Sequence, residues 1–202
     1  MKRRAALVLI VALLLSPSLA MAGAPTDRIR ETVDQLLGIL KDPRFKGESK
    51  KGERRAKLRE VLYQRFDFTE MAKRALGSEW RRHTPEEQQE FVRLFTDLLE
   101  RAYLDKIEAY NGEKVQYGKE RFDGDYAEVE SKILDSKGRE FSVGYRLYSV
   151  KGDWKVYDVI IENISLVNNY RAQFNRVLAR SSWADLLKRM KEQSFSAPTS
   201  QS

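Results

Sequence analysis

The sequence predicts an α+β domain in which helices pack on one face of a four-stranded antiparallel sheet and enclose an apolar cavity. Apolar residues recur at helical spacing before residue 111 and again after residue 165. Between these two regions they alternate with polar residues, as in half-buried strands. Short turns separate the successive strands, so neighbours in the chain pair antiparallel and the helices cover one face of the sheet.

The N-terminus has the composition of a cleaved signal peptide. Basic residues at positions 2–4 precede an unbroken apolar run from Ala5 to Leu15, and Ala20 and Ala22 form a small-x-small cleavage site. The run is about half as long as the roughly twenty residues that a membrane span needs. We therefore predict cleavage after Ala22 and export of the mature chain, rather than a retained membrane anchor.

Composition excludes several classes of site. The chain has no cysteine, so disulfides, thiolate metal sites and a lipoprotein anchor are all excluded. The net charge is +7, and removing the three basic residues of the signal peptide leaves 34 basic against 30 acidic residues, or +4. Basic and acidic residues are interleaved along the predicted helices. This pattern favours solvated helix faces and a mildly basic surface over a nucleic-acid partner.

Three helices are predicted before residue 78. The first has an apolar face at residues 29, 33, 36, 37 and 40, and it ends at Asp42-Pro43. A charged, aperiodic loop over residues 41–53 leads to a second helix near residues 54–64. In the run RFDFTEMAKRALG, Asp67 is interpreted as a structural helix-start residue and Gly77 as the C-terminal cap of the third helix.

A longer helix is predicted to begin at Thr84 and to end near Tyr110. Thr84 can cap it, Pro85 suits the first turn, and Glu87 stands three residues after the cap. Its apolar stripe includes Phe91, Val92, Leu94, Phe95, Leu98, Leu99, Tyr103 and Ile107. This stripe is wider than one packed surface requires, so the helix is expected to face core on two sides, or core and cavity together.

Four strands and two further helices complete the domain. The strands are predicted at residues 115–122 and 126–134, then along Phe141–Leu147 and Trp154–Ile160, with glycine-containing turns between them. The next helix begins near residue 165, and a cap formed by Ser182 and Asp185 begins the last one. The predicted domain organisation is therefore a signal peptide over residues 1–22, one domain over 23–193, and a disordered polar tail over 194–202.

The sequence carries few groups suited to catalysis. Glycine-rich phosphate loops, nucleophile elbows and carboxylate-rich metal loops are absent, so no cofactor and no metal are expected. The single histidine, His83, is interpreted as a solvated linker residue. Asp158, in alternation with Trp154, Val156 and Ile160, leaves two alternatives: a buried base that abstracts a proton beside a carbonyl, or a cap or ion pair with Arg146.

Two long runs resemble the signatures of one family. These runs are FDFTEMAKRALGSEW, from Phe66 to Trp80, and GDWKVYDVIIENISLVNNYRAQF, from Gly152 to Phe174. In composition, order and spacing they resemble the toluene-tolerance (Ttg2D/MlaC) family, and the resemblance covers about residues 24–192. Asn163 departs from the pattern, which favours glycine there, but asparagine also tolerates a positive φ, so the turn is expected to survive.

The resemblance implies a periplasmic phospholipid carrier of the Mla system and not an enzyme. Such proteins shuttle phospholipid between an outer-membrane lipoprotein–porin complex and an inner-membrane ABC transporter complex with its substrate-binding ring, and so maintain the lipid asymmetry of the outer membrane. A monomer without a nucleic-acid partner is expected. Two alternatives stay open: a hopanoid-associated lipid carrier, and a cone-shaped α+β enzyme that uses Asp158 as its base.

A lipid carrier needs a large apolar cavity, and the widest apolar faces are the candidates to line it. The predicted lipid-binding residues, some of them the packed wall behind the cavity, are Phe68, Met71, Phe95, Leu99, Tyr103, Ile107, Phe141, Val143, Tyr145, Leu147, Trp154, Val156, Leu166, Val167, Tyr170 and Phe174. The headgroup is expected to stay in water, because a buried phosphate needs paired cations. Arg146 and Arg171 are the candidate headgroup residues at the cavity mouth.

Overall fold

A computed structural model describes residues 24–192 and 194–197 of the chain, so the predicted signal peptide lies outside the described residues. The α-helices are α1 (Pro25–Lys41), α2 (Lys51–Arg65), α3 (Phe68–Leu76), α4 (Pro85–Glu108), α5 (Leu166–Leu178) and α6 (Trp183–Lys191). The strands are β1 (Lys114–Asp123), β2 (Tyr126–Leu134), β3 (Glu140–Val150), β4 (Asp153–Ile161) and β5 (Ile164–Ser165). None of the described helices is both long and apolar enough to cross a membrane.

The strands form one antiparallel sheet in chain order, β1 to β5. The predicted α+β class and the antiparallel pairing of four strands are confirmed, and β5 is a fifth strand that the sequence analysis missed. β5 has two residues, which is too short for any alternation to be detected. The turn before it passes through Asn163 at φ 64°, so the expected positive φ is confirmed.

A bulge in β4 decides which side chains share the face of the sheet that α1 covers. Tyr145 pairs with Val159 and Leu147 pairs with Val156, so Tyr157 is the extra residue between these two rungs. Val156 and Val159 therefore share the inner face of the sheet, and Asp158 lies on the other side. The sequence placed Asp158 and Ile160 on one face with Val156, which is wrong because an uninterrupted period of two cannot include the bulge.

α1 lies along β1 on the inner side of the sheet. The Thr26 amide donates to Glu120 at 2.7 Å, and the Arg30 guanidinium lies 4.9 Å from the centre of the Tyr117 ring. Ile29 is packed with Val129 and Leu147 in the core between α1 and the sheet. α1 and β1 thus run in opposite directions, and the apolar face predicted for α1 covers the sheet.

The helices α3, α4, α5 and α6 enclose a second core, centred on aromatic rings. Phe95 lies 5.6 Å from Tyr170 and 5.9 Å from Phe174 between ring centroids, and both contacts are edge-on. The predicted capping boxes at Thr84 and Ser182 are confirmed, and so is the Gly77 cap, which has φ 65°. Of the residues described, Phe66 and Val159 pack against both cores and join them.

Two local interpretations change with the structure. The His83 ring stacks on Trp183 with centroids 3.7 Å apart, and its side chain is only 13% exposed, so the solvated-linker interpretation is wrong. Residues 194–197 fall in the predicted tail, yet Phe195 packs edge-on against Phe174 at 5.0 Å, and the Gln173 amide donates to the Ser196 carbonyl at 2.8 Å. The packed domain therefore extends beyond the predicted boundary at residue 193.

The helical core generates a stability prediction. Phe91 is fully buried and contacts Phe95, Phe174 and Trp183, so Phe91→Ala is expected to lower the free energy of unfolding by about 3–5 kcal/mol. Urea denaturation measures this change. Phe122→Ala is the matched control, because Phe122 is 58% exposed, and it should lower the free energy of unfolding by less than about 1 kcal/mol. Equal losses in the two variants would contradict the assignment of this core.

Candidate functional site

Apolar side chains on three elements face the space between the sheet and the helices, and each row changes from buried to partly exposed along its length. On β3, Leu147 is fully buried, whereas Tyr145, Val143 and Phe141 are partly exposed. These residues alternate along the strand, so they share the inner face. One half of this face is therefore filled core, and the other half is an apolar surface that helices only partly cover.

The same change occurs along α4. Phe95, Leu99, Tyr103 and Ile107 are spaced four residues apart, which places them in one row on the helix. Phe95 is 0% exposed and Leu99 is 5% exposed, whereas Tyr103 and Ile107 are only partly buried. The wide stripe predicted for this helix thus contains both core residues and residues at an open apolar surface.

α1 supplies the third row, which the predicted lipid-binding residues did not include. Ile29 is buried at its start, and Val33, Leu36, Leu37 and Leu40 continue the same face as partly buried residues. The helical spacing of these residues was visible in the sequence. It could not show that this face packs against the sheet, because that placement depends on long-range packing.

The partly exposed ends of the three rows lie at the same end of the domain. The Lys41 ammonium, at the end of α1, is 5.6 Å from the Tyr110 ring, just after α4. Tyr110 in turn precedes β1, whose Val115 pairs with Ile133, which pairs with Phe141 of β3. We use the name apolar cleft for this region of partly buried apolar side chains, between the C-terminal halves of α1 and α4 and the first half of β3.

The tyrosines around the apolar cleft lie in surroundings of low polarity. Burial raises the pKa of Tyr170 to about 12, and burial together with the neighbouring Tyr145 raises the pKa of Tyr117 to about 12. Burial also raises the pKa of Tyr103, with a smaller contribution from Tyr170. Within the described residues, the Tyr103, Tyr117 and Tyr170 hydroxyls have no hydrogen-bond partner. These surroundings suit an apolar ligand and disfavour a charged one.

The structure divides the predicted lipid-binding residues into two sets. Six are partly exposed: Phe68, Tyr103, Ile107, Phe141, Val143 and Tyr145. The other ten are buried: Met71, Phe95, Leu99, Leu147, Trp154, Val156, Leu166, Val167, Tyr170 and Phe174. Of the first set, all but Phe68 lie at the apolar cleft, and the second set is divided between the two buried cores.

Phe68 lies instead in a surface groove at the junction of α2, α3 and α4. The groove has a volume of about 430 Å³, and its apolar part consists of Tyr63, Phe66, Phe68 and Val92. Arg93, Asp97 and Lys155 lie at its margin. Because Phe66 packs against both cores, the floor of the groove reaches the place where the two cores meet.

The two candidate headgroup arginines have structural partners and lie away from the apolar cleft. Arg146 is on the outer face of the sheet, where its guanidinium donates to Glu128 and Asp158, each at 3.2 Å. The Arg171 guanidinium donates to the carbonyl of Arg74 at 2.7 Å, at the end of α3. The ion pair of Arg146 with Asp158 was one of the alternatives that the sequence offered, whereas the Arg74 carbonyl as the partner of Arg171 was not predicted. Neither position supports a role in headgroup binding.

Asp158 is held by donors from three elements. Its carboxylate accepts from the Ser165 hydroxyl at 2.6 Å, the Val167 amide at 3.0 Å and the Arg146 guanidinium at 3.2 Å. Asp158 is 3% exposed, and both of its oxygens are occupied by these donors. This geometry favours the cap and ion-pair alternative over a base that needs a free lone pair facing a substrate. In the described part of the chain, no cluster of acidic or histidine side chains could hold a metal ion.

Comparisons with known proteins agree on one family. The sequence profile of the family described as "MlaC protein" matches residues 30–192. The toluene tolerance protein ttg2D of Pseudomonas putida is 29% identical over 182 residues, which is 89% of this chain and 83% of the relative. The intermembrane phospholipid transport system binding protein MlaC of Haemophilus influenzae is 22% identical over 180 residues, which is 87% of this chain and 84% of the relative.

A solved structure shares the fold. It is the phospholipid-binding protein from Ralstonia solanacearum in complex with a phospholipid. The two structures superpose with a TM-score of 0.72 at 26% sequence identity, and the match covers 84% of this chain and 96% of the other.

The environment of Asp158 predicts a structural effect of its substitution. Asp158→Asn replaces one acceptor oxygen with a donor and removes the charge that pairs with Arg146, so it is expected to lower the free energy of unfolding by about 1–3 kcal/mol. Urea denaturation measures the loss. Asp123→Asn, at an exposed position on β1, is the control and should leave the unfolding midpoint unchanged. A fully stable Asp158→Asn variant would contradict the structural role.

Proposed function

Because the chain belongs to the MlaC protein family, we propose that it is a periplasmic carrier that holds a phospholipid by its acyl chains in the apolar cleft. It shuttles phospholipid between outer-membrane and inner-membrane complexes and thereby maintains the lipid asymmetry of the outer membrane. The observation that carries this proposal is the change from filled core to open apolar surface along α1, α4 and β3, with the open ends together.

The energy of lipid transfer explains why such a surface is needed. Exposing acyl chains to water costs about 0.8 kcal/mol for each CH₂ group, so some thirty methylenes cost on the order of 25 kcal/mol. Hydrogen bonds contribute about 1 kcal/mol each and cannot offset this amount. An apolar surface can, because it removes the chains from water altogether. Val143, Tyr145 and Ile107 supply such a surface, and they are already partly covered by the helices.

The named relatives support phospholipid as the cargo. The Ralstonia protein is described in complex with a phospholipid, and the Haemophilus relative is named as the binding protein of an intermembrane phospholipid transport system. Both favour phospholipid over a hopanoid. The headgroup is expected to stay in water, since the cations Arg146 and Arg171 are occupied by other partners.

Location and partners follow from the same proposal. The predicted signal peptide supports export to the periplasm, where a carrier can reach both membranes. Its partners are an outer-membrane lipoprotein–porin complex and an inner-membrane ABC transporter complex with its substrate-binding ring. The carrier performs no chemistry on the lipid, and the Asp158 carboxylate serves the fold instead.

The direct test is the lipid content of the protein. Protein that is exported and purified without detergent should carry phospholipid, because bound acyl chains have no favourable alternative in water. Solvent extraction and mass spectrometry of the purified protein identify the lipid and its amount per chain. Correctly folded protein without any extractable lipid would contradict the carrier function. A hopanoid in the extract would show that the cargo is a hopanoid and not a phospholipid.

A substitution on the inner face of β3 tests where the acyl chains bind. Val143→Glu places a carboxylate in the apolar cleft, and it should abolish lipid loading while the circular dichroism spectrum stays native. Ser142→Glu is the matched control. Ser142 is the preceding residue on the opposite, exposed face, where it pairs in register with Lys132. Unchanged lipid loading in a folded Val143→Glu protein would show that β3 does not line the binding site.

A further inference from the structure

We propose that the acyl chains pass into the apolar cleft between α2 and α4, through a seam that ion pairs hold closed. This inference rests on the proposed carrier function and adds to it a route for the cargo. The seam consists of Arg54, Arg55 and Arg59 on α2 and of Glu100 and Glu108 on α4.

Ion pairs follow the seam over most of its length. Arg54 and Arg55 both bind Glu108, at 2.7 Å and 2.6 Å, and Arg55 also pairs with Asp105. About one turn nearer the C-terminus of α2, Arg59 binds Glu100 at 2.6 Å. The order of the pairs shows that the two helices run in opposite directions, with a ladder of charges between them.

Apolar packing across this seam is sparse. α2 packs closely against α1, whereas the α2 and α4 backbones approach each other at few points, so long arginine and glutamate side chains span the gap. Of the 15 residues of α2, the buried ones are Leu58 and Arg65. The neighbouring seam between α4 and α6 differs, since Leu98, Leu187 and Met190 belong to a continuous buried core there.

Apolar residues lie next to the seam on α4 and in the surface groove. Glu100 shares a face of α4 with Tyr103 and Ile107, which stand three and seven residues further on, so the partly buried end of the α4 row adjoins the seam. At one end it continues into the surface groove, because Tyr63 both lines the groove and donates a hydrogen bond to Glu100 at 2.7 Å. The groove, the charge ladder and the partly buried end of the α4 row are therefore adjacent.

Ion pairs suit a barrier that must open in water. Separating apolar surfaces exposes them to water, whereas separated charges regain hydration that partly replaces the lost pair. Glu108 and Glu100 are only 8% and 11% exposed at the side chain, so both gain hydration when α2 moves away from α4. Arg65 fixes the other end of α2 to the β3–β4 turn, through Asp153 at 3.0 Å and the Trp154 carbonyl, and can act as the hinge.

A reversible cross-link tests this route in the full-length protein. The chain has no cysteine, so the double variant Arg59→Cys and Glu100→Cys offers a short bismaleimide two attachment points across the seam. The spacer contains a disulfide, so a reductant reopens it. The probe is transfer of a fluorescent phospholipid from vesicles of phosphatidylethanolamine and phosphatidylglycerol. Cross-linking should slow transfer at least about tenfold, and cleavage of the spacer should restore it.

The matched control places the same cross-link on the other side of α4. Glu90 and Lys191 form an ion pair of 3.1 Å between α4 and α6, so Glu90→Cys with Lys191→Cys should transfer lipid equally fast with or without the cross-link. Equal rates for the closed and the cleaved α2–α4 cross-link would overturn the proposed route. Absence of transfer even in the wild-type protein would instead overturn the carrier function, so the two failures are distinguishable.

A charge substitution tests the role of the ladder in the opposite direction. Glu100→Gln removes the charge that holds Arg59 but keeps an acceptor for Tyr63, so transfer should become faster than in wild type. Glu90→Gln, which removes the partner of Lys191, should transfer lipid at the wild-type rate. A Glu100→Gln protein that folds and transfers no faster would show that the ion pairs do not hold the route closed.

Discussion

The carboxylate of Asp158 is the interaction on which the arrangement of sheet and helices depends. It joins β3 through Arg146, β5 through Ser165, and the first turn of α5 through the Val167 amide. A negative charge at the N-terminus of a helix also interacts favourably with the helix dipole. Because α5 carries Tyr170 and Phe174, fixing its start places these rings against α4. The bulge at Tyr157 makes this possible, since it turns Asp158 away from the inner face and leaves that face apolar.

The two runs that resemble the family signatures meet at this joint and not at the apolar cleft. Phe66 forms a parallel bridge with Val156, and the Asp67 amide donates to the Val156 carbonyl at 2.9 Å. Arg171 of the second run donates to the Arg74 carbonyl of the first. Each run therefore supplies backbone and polar contacts that hold α3, β4 and α5 together. Such contacts demand specific residues, whereas an apolar wall accepts many combinations of apolar side chains.

The sequence predicts those features of the structure that depend on residues close together in the chain. Helix caps at Thr84 and Ser182 and the alternation along β3 depend on neighbouring residues, and these predictions are confirmed. The β4 bulge inserts one residue without breaking the apolar pattern, so Asp158 was assigned to the wrong face. The partner of Arg171 and the ladder between α2 and α4 join distant segments, and no local pattern reveals them. The fold was thus more predictable than the site.

A carrier has to satisfy two opposing requirements, a stable fold without cargo and a surface that accepts cargo. The buried ends of the apolar rows meet the first, because Leu147 and Phe95 are packed whether or not a lipid is bound. The partly exposed ends of the same rows provide the surface that accepts cargo. α2 has one buried apolar residue, Leu58, and contributes none of its residues to either core. The proposed movement for the cargo therefore falls on a helix with few buried residues, where local motion is expected to cost little.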